Sequence, residues 1–224
     1  MERAWMQPLA ELGAGTVTAL VPDTLVDLLG RGLALRYAGR PIEKTVQGVP
    51  LRAVVDGVRI RRDRAHLRAR VRLNDLDWDD RRIDSLTVTA HGLRIVPGLP
   101  TRISAARLDV QGIAPITVVL DWFNSLDTPW RLSDGDDIRA DHRRLNVSAL
   151  VDGAVVDDVA YVELLRLRCY GLLVPVVAAR RVPLPPLPTG IRKVHAARRG
   201  DDVLFGFEIA DVAGVLPFGD RPRR

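Results

Sequence analysis

Between Ala65 and Leu73 the chain alternates without a break: Ala65, Leu67, Ala69, Val71 and Leu73 are apolar, and His66, Arg68, Arg70 and Arg72 stand between them. Successive side chains of a strand point to opposite faces, so the run reads as a half-buried β-strand with one aliphatic and one cationic face. Leu86, Val88 and Ala90 repeat the device with Thr87, Thr89 and His91 opposite. Leu145, Val147, Ala149 and Val151 do so again, and Val203, Phe205, Phe207 and Ile209 form the last clear case. A weak echo, apolar-x-Gly-apolar, recurs at Val55–Val58, Ala90–Leu93 and Val110–Ile113. Glycine inside a strand marks a bulge or bend, which would curve a long sheet.

Two helical stretches interrupt this period. Residues 1–35 place Trp5, Leu9, Leu12, Val17, Leu20 and Val21 on one stripe until Pro22. Asp23 or Thr24 can then cap a short helix carrying Leu25, Leu28 and Leu29, with Gly30 and Gly32 suited to its C-terminal end. After Pro115, the residues Val118, Val119, Trp122, Phe123 and Leu126 fall at helical spacing over 116–126. Thr128–Trp130 and Asp134–Asp137 read as loops. No linker rich in Gly, Ser and Pro divides the chain, so the expectation is one α+β domain over residues 1–219, with 220–224 a frayed basic tail. Its architecture would be a long, curved, mainly antiparallel β-sheet wrapped around two or three helices.

At 47% hydrophobic and 27% charged residues the chain has the composition of a folded globular protein. Aromatics make up only 5%, so aliphatic residues must supply the core. No run approaches the ~18–20 apolar residues that span a bilayer. The opening Met1–Pro8 lacks a basic stretch and Glu11 breaks the apolar segment behind it, so no secretory leader is read here. The expected location is the cytoplasm, peripheral to the inner membrane, or outside it if a leader has been removed. The single Cys169 excludes an intrachain disulfide. It shares an alternating face with Leu165 and Leu167 and reads as a small buried apolar residue.

Recognised chemistry is sparse. The chain has neither a Gly-rich phosphate loop nor a G-x-S-x-G elbow. His66, His91, His142 and His195 are scattered and read as solvated surface residues. Asp141-His142, with Asp136 and Asp137 nearby, is the one carboxylate–imidazole cluster, and no nucleophile accompanies it. Asp75, Asp77, Asp79 and Asp80 lack the glycine and distal glutamate of a calcium loop, and read as an acidic turn countering Arg81 and Arg82. The expectation is a non-enzyme with no cofactor and no metal.

The net charge of +5 is carried by arginine, with Lys44 and Lys193 the only lysines. It either meets an anionic partner or reflects arginine standing in for lysine throughout. The Arg59–Arg64 cluster and the Arg68/Arg70/Arg72 strand face could neutralise phosphates. Stacking aromatics fall elsewhere, at Trp122, Phe123 and Trp130, so nucleic acid ranks behind a solvated face and an anionic lipid surface.

The run Val182-Pro-Leu-Pro-Pro-Leu-Pro-Thr-Gly190 is a stiff, extended crossover leading into a closing hairpin that ends at Asp211. Taken with the early helix, the glycine-centred strands and the strand 145–151 before Asp152-Gly153, it resembles the LmeA-type phospholipid-binding proteins of actinobacteria, over about Thr24 to Ile209. The resemblance implies a fold similar to the tubular lipid-binding proteins, a curved sheet leaving an apolar groove for acyl chains, and a role in envelope lipid metabolism. It carries over no catalytic residue. On that reading the chain is a non-catalytic phospholipid-binding or lipid-transfer protein, with peripheral contact to an anionic membrane and no nucleic-acid partner. Acyl chains would lie against Leu67, Ala69, Val71, Leu86, Val88, Val147 and Ala149, helped by Trp122 and Phe123, and Arg180 and Arg181 would meet the phosphate. The rivals are an interaction module whose apolar face is filled by its own helices or a partner, and a nucleic-acid binder using the arginine face.

Overall fold

A computed structural model describes residues 23–46, 49–64, 66–78, 80–96, 102–125, 127–174, 176, 178–183 and 190–215. In chain order the elements are α1 (Asp23–Tyr37), β1 (Pro41–Val46), β2 (Val49–Asp63), β3 (His66–Trp78), β4 (Arg81–Val96), β5 (Arg102–Pro115) and α2 (Ile116–Ser125). There follow β6 (Trp130–Ser133), β7 (Ile138–His142), β8 (Val147–Val156), β9 (Val159–Cys169), β10 (Leu172–Val174), β11 (Ala178–Pro183), β12 (Ile191–Arg199) and β13 (Asp202–Val215). The fold is sheet-dominated α+β, with every strand pair antiparallel.

The strands run in the order β1-β2-β3-β4-β5-β13-β12-β8-β7-β6, and β9 continues from β8 to β10 and β11. Strand β8 is the junction. Its first half pairs with β7, its Ala154 and Val155 pair with Ala197 and Ala196 of β12, and β9 runs along its length. The β12 contact is only two residue pairs long, and a carboxylate reinforces it. Asp158, in the β8–β9 turn, accepts from the backbone N–H of Val194 at 2.7 Å and of Lys193 at 3.2 Å. Those donors are freed by a bulge in β12 between Arg192 and His195, where Lys193 has φ 53°.

Tight hairpins follow from turn chemistry. The β8–β9 turn is Asp157-Asp158, both at positive φ, as a two-residue primed turn demands. Tyr170-Gly171 forms the β9–β10 turn in the same way. The glycine echoes each serve a different purpose. Gly57 follows a bulge in β2, and Gly92 sits at φ 61° where the β4–β5 ladder skips. Gly112 makes room for the Phe205 ring, which a Cβ at that position would strike.

The aliphatic face of β2–β4 is packed. Ala53, Val55, Leu73 and Leu76 form a buried cluster, with Ile42, Leu51, Val58, Val71, Ile83 and Leu86 around it. Helix α1 lies over β2. The expected end of this helix at Gly30 is corrected: it continues to Tyr37. Gly30 is buried over Ile60 with room for a Cβ at ordinary contact distance, so packing of this whole face on β2 outweighs the ~1 kcal/mol cost of a mid-helix glycine. The chain leaves the helix at Gly39, φ 72°, whose N–H donates to the carbonyl of Val55 at 2.8 Å. Val26 supplies the buried side of α1, and Leu28, expected on its apolar stripe, is exposed. The 1–21 stripe, the Leu25 and Leu29 side chains, the 184–189 crossover and the tail at 220–224 lie outside the described residues.

Candidate functional site

Helix α2 forms where expected and crosses above the shorter strands. Ile116 and Leu120 bury against Val203, with Val119, Leu132, Ile138 and Ala196 packed around them. Its C-terminal end is clamped to β6 by Asn124, whose Nδ2 donates to the Leu132 carbonyl at 2.8 Å while its Oδ1 accepts from the Leu132 N–H at 2.7 Å. The amide thus substitutes for a strand neighbour on β6, an edge of the sheet. Trp130–Ser133 is a strand because it pairs antiparallel with β7, so the expectation of a loop through Trp130 is corrected.

Beyond the clamp the helix and sheet separate around a cavity of about 650 Å³. Phe123 reaches into it from α2, and its floor is aliphatic, including Leu132, Ala149, Val151, Val162 and Leu164. Register explains the floor: Ile138 pairs with Val151, Val151 with Leu164, and Leu164 with Ala178, so one face of four strands is apolar in a row. A bulge at Leu165, where Leu150 pairs with Arg166 and Val151 with Leu164, keeps Leu164 and Leu167 both facing the cavity. It also turns Leu165 out to solvent, so the expectation that Leu165 and Leu167 share a face is corrected. Arg180 lines the same cavity, directly opposite Val162 on β11, and no ion pair holds it among the described residues.

The residues expected to hold an acyl chain therefore divide. Phe123, Ala149 and Arg180 line the cavity together. Val147 lies farther along β8, opposite Cys169. Leu67, Ala69, Val71, Leu86 and Val88 belong to β3 and β4, where Val71 pairs with Val88, and Val71 and Leu86 pack against the buried cluster of Ala53, Val55, Leu73 and Leu76. A single groove containing all of them is not what the strands form. Trp122 is 46% exposed beside Phe123, on the other side of the helix. Arg180 and Arg181 do not act as a pair either. Adjacent strand residues face opposite ways, and Arg181 stacks over the Tyr161 ring at 5.6 Å on the far side of the sheet.

The other constellations have structural partners. His142 Nδ1 accepts from the N–H groups of Arg144 and Leu145 at 3.2 and 3.1 Å, and its ring meets Trp130 edge-on at 4.9 Å. Asp141 pairs with Arg139 at 3.0 Å. Asp75 meets Arg82 at 3.4 Å, but Asp75 and Asp77 lie within β3, which runs to Trp78, so the expectation of an acidic turn there is corrected. Cys169 is half-buried. Among the described residues no cluster of three His, Cys, Asp or Glu could hold a metal, and no helix is long and apolar enough to cross a membrane. Comparison with protein-family models, curated proteins and solved structures finds no match.

The cavity residues that sequence reasoning missed, among them Leu132, Val151, Val162 and Leu164, carried a usable signal. Val162 and Leu164 alternate with Glu163, and Ala178 alternates with Arg180. Neither short run looks like a strand face until β9 is paired on both sides.

Proposed function

We propose that this chain is a non-catalytic lipid-binding protein that holds an acyl chain in the cavity beneath α2, with Arg180 meeting the phosphate of the headgroup. The cavity carries the reading. Its volume of about 650 Å³ lies in the range of roughly 300–1,000 Å³ typical of small-ligand sites. Its lining is mostly aliphatic, with Phe123 and Trp130 beside the aliphatic floor and the Arg180 guanidinium and Asp152 carboxylate as its charged groups. Each methylene buried there contributes about 0.8 kcal/mol, so a partly enclosed acyl tail supplies useful affinity. Charge-assisted hydrogen bonds from Arg180 would fix the orientation. The sequence resemblance to the LmeA-type family, with its tubular lipid-binding fold, points the same way.

The same half of the protein offers a means of reaching a membrane. Tyr170, Leu172 and Leu173, at the β9–β10 hairpin tip, are 71%, 73% and 59% exposed. Leu145 is exposed beside them, because the Tyr170 N–H donates to the Asn146 carbonyl. Arg168 stands directly opposite Leu173 on the paired strand. An apolar tip with a guanidinium beside it suits the interface of an anionic bilayer.

Native mass spectrometry of the purified protein, with organic extraction of the same sample, tests the reading. Stoichiometric phospholipid is the expected result, and Val162→Trp, which fills the cavity from its floor, should abolish it while the protein stays folded. A clean apo mass that does not change after incubation with anionic and zwitterionic phospholipids would overturn the proposal.

A further inference from the structure

The outer face of the long strands carries a second site, unrelated to the cavity. Arg59 and Arg61 on β2 stand directly opposite Arg70 and Arg68 on β3. Like charges placed opposite each other across antiparallel strands destabilise the pair, so this two-by-two array of guanidinium groups opposes folding locally. The row continues from Arg70 to Thr89 on β4, Asp109 on β5 and Glu208 on β13. Charge therefore runs from strongly positive at β2–β3 to negative at β5–β13.

The negative end is neutralised by its own neighbours. Arg107 Nε lies 2.8 Å from Asp109, His91 Nε2 lies 2.7 Å from it, and Lys193 Nζ donates to Glu208 at 3.0 Å. The positive end is not. Arg59 and Arg61 have no ion pair among the described residues, and Arg70 reaches only the Thr89 hydroxyl, at 3.4 Å. Arg68 has one long contact with Asp63, at 3.5 Å, and donates to His91 Nδ1 at 3.1 Å. His91 thus lies between Arg68 and Asp109. Arg59, Arg61, Arg68 and Arg70 enclose a basin of about 260 Å³ whose wall also holds His91, the Asp109 carboxylate already paired with Arg107, and the neutral groups of Thr89 and Gln111.

We propose that this basin binds a multiply charged phosphoryl group, either a free diphosphate or the phosphomonoester of a lipid headgroup. Such an anion converts the repulsion among four guanidinium groups into attraction. Arginine forks match phosphate oxygens bidentately, and Thr89 adds a hydroxyl. A basin of this size takes one phosphoryl cluster; it presents no Phe, Tyr or Trp on which bases could stack. The proposal does not depend on the acyl-chain cavity, which is built from other strands.

Titration with inorganic pyrophosphate at low salt, followed by calorimetry and thermal melting, reads the site directly. Pyrophosphate should raise the Tm of the wild type, and Arg59→Gln/Arg70→Gln should weaken its binding by about tenfold or more. The same double variant should melt at a higher temperature than the wild type when no anion is present, because it relieves the like-charge contact. Arg144→Gln/Arg166→Gln removes equal charge elsewhere and should leave pyrophosphate binding intact. Phosphatidylcholine vesicles with and without phosphatidic acid separate the sources. Capture only by phosphatidic acid, competed by pyrophosphate and lost in Arg59→Gln/Arg70→Gln, assigns a lipid headgroup; pyrophosphate binding without vesicle capture assigns a soluble ligand. Equal loss in both double variants would overturn the proposal, since net charge alone would then explain it. So would a single-stranded oligonucleotide that binds through Arg59 and Arg70 and is not displaced by pyrophosphate.

Discussion

The two halves of this sheet use the same alternating code and reach opposite ends. In the half formed by β2–β5 and β13, strands of 13–16 residues set aliphatic side chains in register, and Ala53 and Leu76 are only 2% and 1% exposed. In the half formed by β6–β11, strands of 3–11 residues carry an equally aliphatic face, yet that face borders a cavity of about 650 Å³. The difference lies in the cover. Helix α1 packs directly on β2, burying Val26 and Gly30. Helix α2 is held from its end by Asn124 and sends only Phe123 into the cavity. An apolar strand face thus states that something must cover it, while the fit of the covering helix decides whether the cover is the protein or a ligand.

Truncating each half tests that contrast most strongly. Leu76→Ala removes a fully buried side chain from the closed half and should cost about 2–5 kcal/mol in denaturant unfolding. Leu164→Ala, on the cavity floor, should cost less than half as much, since its side chain already borders open volume, and should weaken lipid binding instead. Equal losses of stability would mean that the second half is as closed as the first. Asn124→Ala has the next largest effect. It removes both hydrogen bonds between α2 and β6, for about 1–3 kcal/mol, and should reduce lipid retention because the helix no longer holds Phe123 over the cavity. Unchanged retention in a folded Asn124→Ala protein would show that the helix position does not matter to the site.

What the sequence made legible follows the same division. The alternation at 65–73 and 86–90 is long and regular, because β3 and β4 are central strands whose two faces meet different surroundings throughout. The helix after Pro115 was equally plain. The C-terminal end of α1 was not, since Gly30 reads as a stop when seen alone and as part of a packed face once Ile60 lies beneath it. Trp130 read as the end of a loop because β6 is only 4 residues long, pairing with β7 on one edge and meeting the Asn124 side chain on the other, which no periodicity can reveal. The cavity was half legible for the same reason. Phe123, Ala149 and Arg180 could be proposed from their runs, but Leu164 faces inward only through the bulge at Leu165, a one-residue shift that inverts the simple alternation. Arg180 and Arg181, adjacent in sequence, were separated by strand geometry that the pairing partner fixes.

The smallest expected change in stability belongs to the hairpin tip, and it sharpens the comparison from outside. Leu172 and Leu173 are 73% and 59% exposed, so Leu172→Asp/Leu173→Asp removes little packing and should shift unfolding by no more than about 0.5 kcal/mol. Its effect on a bilayer should be far larger. Two carboxylates at the tip, one of them directly opposite Arg168, would face an anionic surface and cancel local positive charge as well as the apolar insertion. Co-sedimentation with vesicles containing phosphatidylglycerol should fall steeply in this variant and stay unchanged in Arg59→Gln/Arg70→Gln. If both variants lose vesicle binding alike, the membrane would meet the protein over its whole basic surface, and the half that holds the cavity would have no privileged route to lipid.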